Sequence, residues 1–131
     1  MKKLFTANEC SFYLNWILPI GFERTLKLEE ADCVFFSGGE DVDPSMYGQP
    51  RHFSTGSNIN RDRFEKRIFD FALSKQLPML GVCRGSQFLC AMSGGILVQD
   101  QDNTYLHEIE TFDGKKFICN STHHQAQYIW R

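Results

Sequence analysis

Residues 78–93 constrain this chain more than any other stretch. An apolar run, 78–82, passes through Gly81-Val82-Cys83-Arg84-Gly85 directly into a helical pattern, 83–93, that stops at Gly94-Gly95. A strand apolar on both faces needs cover on both sides, which parallel sheets obtain from their crossover helices. A second such run, 32–37 (Asp-Cys-Val-Phe-Phe-Ser), ends at Gly38-Gly39. Between the two, Phe64, Ile68, Phe71, Ala72 and Lys75 recur at spacings of three and four, which predicts a helix over 61–76. Asn60 is its expected N-cap, and Asp62 and Glu65 suit the positive end of the helix dipole. Strand, helix, strand, helix in that order predicts an α/β fold with a right-handed parallel sheet.

The flanks are read in the same way. Residues 3–6 form a short strand, and 11–18 a helix with Ser11 as N-cap, Pro19 just beyond it and Gly21 restarting the chain. Residues 38–60 are rich in Gly, Ser, Asn and Pro, and so long an irregular segment in a compact domain is expected to border a site. Asp113-Gly114 between 108–112 and 116–120 signals a β-hairpin. Residues 128–130 begin another strand, whose partners are expected to lie outside this sequence.

Composition excludes several classes. Fourteen basic residues against sixteen acidic ones leave a charge of −2, with no basic run to neutralise a phosphate backbone, so nucleic acid is not expected as a partner. The longest apolar stretches, 16–22 and 77–83, are seven residues, against the roughly 20 that span a bilayer. No apolar segment follows Met1-Lys2-Lys3 to make a signal peptide. A cytoplasmic location without membrane association is the expectation. One domain, 1–131, is expected, and 42% hydrophobic residues suffice to pack it. Five cysteines with irregular spacing and no CxxC form neither a disulfide framework nor a zinc knuckle. Cys33, Cys90 and Cys119 read as small buried hydrophobes, and His52 as a solvated loop residue. His107, Glu108, His123 and His124 lack metal-site spacing, so no metal is assigned. Glu40, Asp41 and Asp43 read as turn-makers.

Cys83 stands apart. Gly81-Val82-Cys83-Arg84-Gly85 reproduces a nucleophile elbow with cysteine at its corner. Side chains two residues to either side of the nucleophile would collide with the neighbouring strand and helix, hence the glycines. The helix N-terminus and the adjacent Arg84 are expected to favour thiolate. The Arg84 N–H and the backbone of Ser37-Gly38-Gly39 can supply oxyanion donors.

Four segments resemble the class I glutamine amidotransferase-like hydrolases, in particular the γ-glutamyl-γ-aminobutyrate hydrolase type of cysteine peptidase. They are Ser37-Gly38-Gly39-Glu40-Asp41-Val42-Asp43-Pro44 with Tyr47-Gly48; Arg61-Asp62 with Glu65; Gly81-Val82-Cys83-Arg84-Gly85-Ser86-Gln87 with Gly94-Gly95; and Asn120-Ser121-Thr122-His123-His124-Gln125. The resemblance implies a flavodoxin-like parallel sheet and a reaction in which Cys83 attacks the δ-carbonyl of a γ-glutamyl amide, giving a glutamyl thioester that water hydrolyses. It implies Gly39 and Arg84 as oxyanion donors. Gly38, Gln87, Ser121, Thr122, His123 and His124 are the implied contacts to a small γ-glutamyl substrate, and the chemistry needs no cofactor. The related intracellular protease and chaperone branch usually has His directly after the nucleophile, where this chain has Arg84.

The family's base, a His in a His-x-Glu motif several dozen residues beyond His-His-Gln, is absent from this sequence. Three explanations stand: a fragment of a longer hydrolase lacking its C-terminal part; an inactive γ-glutamyl or glutamine-binding module; or His123 or His124 acting as base in a rearranged site. Arg61, Asp62 and Glu65 also admit a plain reading as charges at a helix N-terminus.

Overall fold

A computed structural model of the chain describes residues 1–9, 11–101 and 106–128, with only the backbone of Ser11. Four parallel strands carry the fold: β1 (Lys2–Thr6), β2 (Phe22–Thr25), β3 (Cys33–Phe36) and β4 (Met79–Gly81), in the order β2-β1-β3-β4. Helix α1 (Ser11–Ile17) joins β1 to β2, α2 (Ile59–Ser74) joins β3 to β4, and α3 (Arg84–Met92) follows β4.

Alternation along β3 divides the core. Cys33 and Phe35 pack with Leu4, Leu14 and Ile17 on the α1 side, while Val34 and Phe36 pack with Ile68, Phe69, Ala72, Phe88 and Ala91 on the α2–α3 side. Every residue of β3 is buried, as its unbroken apolar run requires. The result is a three-layer flavodoxin-like fold. The chain returns from β2 across β1 to β3, so the strand order reverses between β1 and β3. The carboxyl ends of strands at such a reversal are where α/β sheets leave a crevice. Ala7-Asn8, Ser37-Gly38-Gly39 and Val82-Cys83 all emerge at that end.

Several boundaries differ from the sequence reading. Ser11 is the first helical residue of α1 rather than its cap. Asn58, not Asn60, caps α2, its side-chain oxygen accepting from the backbone N–H groups of Asn60 and Arg61, both at 3.2 Å. Phe64 lies off the buried stripe and is exposed beneath the Arg67 guanidinium, while Phe69, in phase with Asp62, Glu65 and Ala72, takes the buried place. Strand β2 and strand β5 (Ile96–Val98) were not anticipated. Strand β8 (Ala126–Tyr128) pairs antiparallel with β5, so the last described strand finds its partner inside this chain; residues 129–130 of the expected strand lie outside the described residues. The expected hairpin forms, from β6 (Leu106–Glu110), which lies two residues before the expected 108–112, and β7 (Lys116–Asn120), in antiparallel register. Among the described residues, no helix is long and apolar enough to cross a membrane.

Candidate active site

The turn from β4 to α3 is held by backbone geometry. Cys83 caps α3 with φ 55° and ψ −121°, a conformation that costs an ordinary residue about 1–3 kcal/mol and persists only where its surroundings fix it. They do so closely. The Val82 N–H donates to the Phe36 carbonyl at 3.1 Å and the Gly85 N–H to the Val82 carbonyl at 3.0 Å. A β-carbon on Gly81 would lie 2.5 Å from the Gly85 backbone, and one on Gly85 would overlap the Phe36 carbonyl. The start of α3 thus rests directly on the ends of β3 and β4, which only glycines allow.

Cys83 is exposed, whereas Cys33 and Cys90 are buried and burial pushes both thiols up. Cys119 is half-buried rather than a core residue. Beside the elbow, a β-carbon on Gly38 would lie 3.5 Å from the Cβ of Cys83 and 2.6 Å from the Tyr13 hydroxyl. Gly39 has φ 144°, and a β-carbon there would run into the Arg61 guanidinium. The elbow and the Gly38-Gly39 turn therefore face each other, with Tyr13 of α1 at their side. Among the described residues, neither the Gly39 nor the Arg84 backbone N–H donates a hydrogen bond within the protein.

The Arg84 side chain does not lie beside the thiol. Its guanidinium is 1% exposed and pairs with Asp62 and Glu65, both fully buried. Its Cζ also lies over the Phe88 ring, 5.2 Å from the centroid. The expected electrostatic help of Arg84 to Cys83 is corrected on that ground: its charge is neutralised inside the protein, and only its backbone N–H faces the elbow. Asp62 and Glu65 are likewise more than dipole-compensating charges. Asp62 accepts from the Asp43 N–H at 2.9 Å; burial pushes its carboxyl up, and that N–H and Arg84 pull against the push. Glu65 accepts from Asn8 Nδ2 at 2.6 Å and from Arg61 Nε at 3.0 Å. A signal for this existed in the sequence, since Asp62 and Glu65 fall in phase with Ile68, Phe69 and Ala72 on the buried stripe of α2. Nothing in the sequence singled out Asn8.

The segment 121–125 is tied to this assembly from the other side. Gln87 is buried and donates to the Gln125 carbonyl at 3.2 Å, and His123 Nδ1 lies 3.0 Å from that same oxygen. His124 sits between two carboxylates, Nε2 at 3.1 Å from Asp41 and Nδ1 at 3.4 Å from Asp100. Ser121 Oγ is 3.4 Å from His123 Nε2, and Thr122 is exposed. His52 is half-buried, its Nδ1 2.7 Å from Ser54 Oγ, rather than free in solvent. Asp43 does make the turn expected of it, capping residues Pro44–Tyr47. The Ser45 hydroxyl first, then Ser57, the Ser45 N–H and Arg51, hold its carboxyl down at about 2. Tyr47, half-buried beside Asp41, Asp43 and Asp62, is pushed up to about 12 by that burial and by the carboxylates. Among the described residues, no histidine hydrogen-bonds to the Cys83 thiol.

Residues 17–124 match the family described as Peptidase C26. Protein NtpR of Enterococcus hirae is 30% identical over 138 residues, covering 84% of this chain and 57% of that protein. Gamma-glutamyl-CDP-amidate hydrolase of Campylobacter jejuni is 33% identical over 111 residues, covering 83% of this chain and 52% of the relative. The crystal structure of a glutamine amidotransferase from Thermotoga maritima superposes with a TM-score of 0.60 at 14% identity, covering 96% of this chain and 62% of that one, which bears on the fold. The chain spans about half the length of the curated relatives it matches.

Proposed function

From the membership of this chain in the Peptidase C26 family of glutamine amidotransferase-like hydrolases, we propose that it carries the nucleophile of a thiol-dependent hydrolase of γ-glutamyl amides. The observation that carries the reading is the exposed Cys83 at φ 55° between two obligatory glycines, facing the Gly38-Gly39 turn. In the proposed reaction the Cys83 sulfur adds to the δ-carbonyl carbon, the developing oxyanion takes the unused N–H groups of Gly39 and Arg84, and the C–N bond breaks as the amine leaves with a proton. Water then hydrolyses the thioester, releasing the γ-glutamyl carboxylate and restoring the thiol.

Residues 121–124 form the glutamyl side of this proposed pocket. Exposed Thr122 and His123 and half-buried Ser121 are the members with room to reach a ligand, while Gln87 and His124 hold the segment in place. The γ-glutamyl-γ-aminobutyrate hydrolase type is the branch we assign; the Campylobacter relative, by its name, acts on a different γ-glutamyl compound, so the test below spans several leaving amines.

A second reading has one observation in its favour. With no histidine on Cys83 among the described residues, proton transfer depends on a base outside them, and without that base the same pocket is a γ-glutamyl-binding module. The test is to incubate the protein with a panel of γ-glutamyl amides and follow amine release together with the mass of the Cys83 peptide. Release that vanishes in Cys83→Ser supports the hydrolase. Saturable binding without release or acylation supports the binding module. Absence of both overturns the γ-glutamyl reading.

A further inference from the structure

The Gly38-Gly39 turn has no side chain with which to anchor itself. Two adjacent glycines carry the largest conformational entropy a dipeptide can have, and Gly39 sits at a φ of 144°. A turn that aims an N–H at a reacting oxygen has to be fixed by something else, because a misplacement of about 1 Å at a reacting centre can lower a rate about 100-fold.

Arg61 occupies that role in space. Its Nη2 donates to the Gly38 carbonyl at 3.0 Å and to the Ser37 carbonyl at 3.4 Å, so two successive carbonyls of the turn share one donor group. Its Nη1 fills the volume under Gly39 that a β-carbon would need. The third nitrogen, Nε, is fixed at 3.0 Å by Glu65, which has no solvent exposure. Glu65 closes two further links. One runs through Asn8 Nδ2 at 2.6 Å, then from Asn8 Oδ1 to the Ser37 hydroxyl at 2.5 Å; the other runs to Arg84, the residue after Cys83. A single carboxylate thus grips both backbone segments that flank the nucleophile, and Arg61 is its reach to the Gly38-Gly39 side.

We propose that Arg61, steered by Glu65, is a positioning residue that fixes the Gly38-Gly39 turn against the Cys83 elbow and so sets the geometry of the oxyanion site. The inference rests on the γ-glutamyl reading above. It is separable from a purely structural role, because the planar guanidinium spans one carboxylate and two carbonyls at once, which a lysine ammonium cannot do.

The test compares two alkylating reagents on the wild-type protein, Arg61→Met and Arg61→Lys. Iodoacetamide reads the thiol alone. The chloromethyl ketone analogue of glutamine places its carbonyl where the oxyanion would form while sulfur displaces chloride, and its saturation kinetics separate binding from the maximal rate. In Arg61→Met the expected result is an unchanged half-saturation, a maximal rate lowered about 100-fold, and an iodoacetamide rate within about twofold of wild type. Arg61→Lys, which keeps the positive charge beside Glu65, should recover part of the rate at an unchanged melting temperature, and it remains informative if the methionine variant folds poorly. Both reagents slowing together in both variants would show a merely structural role and overturn the proposal. An unchanged maximal rate would overturn it while leaving the γ-glutamyl reading intact. A wild-type protein that the chloroketone labels without saturation, no faster than iodoacetamide does, overturns the γ-glutamyl reading and this inference with it.

Discussion

Between β3 and α3 the protein buries Arg84, Asp62 and Glu65 completely and wraps them in aromatic and backbone partners. Along β6 and β7, by contrast, every side chain except the half-buried Cys119 is exposed, Leu106, Phe117 and Ile118 included. The elbow region draws its order from charges that have no alternative partner in water; the hairpin draws its order from its own ladder and from surface pairs such as Lys116–Glu108 at 2.7 Å. Order is therefore concentrated around Cys83, and the two regions should respond to the same kind of damage very differently.

The largest effect is expected at the buried charges. Asp62→Ala or Glu65→Ala leaves the Arg84 guanidinium without one of its two carboxylates in a site closed to water, and uncompensating a buried charge costs about 3–5 kcal/mol. Chemical denaturation of each variant measures it, and a loss under about 1 kcal/mol would mean that water reaches Arg84 after all. Breaking the exposed Lys116–Glu108 pair should leave the denaturation midpoint where it is, as exposed pairs generally do.

Glycines sharpen the contrast. Gly85→Ala forces a methyl onto the Phe36 carbonyl, a backbone overlap expected to cost about 1–3 kcal/mol and to remove any preference of alkylating reagents for Cys83 over the other thiols. Gly114 has open space around it, but its φ is 78°, so Gly114→Ala strains only the hairpin turn, and its effect should appear in hydrogen exchange of β6 and β7 and not in global melting.

Acid gives a smaller, local effect. Asp43 titrates at about 2 instead of the ordinary 3.8, chiefly through the Ser45 hydroxyl. A carboxyl lowered by folding stabilises the protein above its unfolded value and loses that contribution as pH falls through the folded one. Wild-type stability should therefore decline between about pH 4 and pH 2, and Asp43→Asn should flatten that part of the curve while leaving the Cys83 alkylation rate unchanged.

The sequence made these regions legible to different degrees. β3, α2, the elbow and the hairpin all announce themselves through unbroken apolar runs, three-four spacing or Asp113-Gly114, because local chemistry decides them. Strands β2 and β5 do not: Phe22–Thr25 alternates weakly and Ile96–Val98 is three residues long, and each is a strand only because β1 or β8 lies beside it. The same limit applies to the site. Cys83 and its glycines were readable from a turn that few other residues can make, but the fate of the Arg84 side chain was not. Its neighbour in sequence is the thiol, while its partners in space lie 19 and 22 positions away.

The smallest effect is the one that would best test whether the hairpin is an independent arm. Ile118 is 67% exposed and faces Glu108 across the ladder, so Ile118→Ser removes little buried surface and should change global stability by less than about 0.5 kcal/mol. Two-stranded hairpins are marginal by themselves, which predicts that the amides of β6 and β7 exchange through local opening, much faster than those of β3, and that Ile118→Ser accelerates them further without touching β3. If instead the substitution lowers the melting temperature, or slows exchange along the hairpin, then β6 and β7 share a surface with another copy or a partner in solution, and the contrast between the two regions would hold only for the chain taken alone.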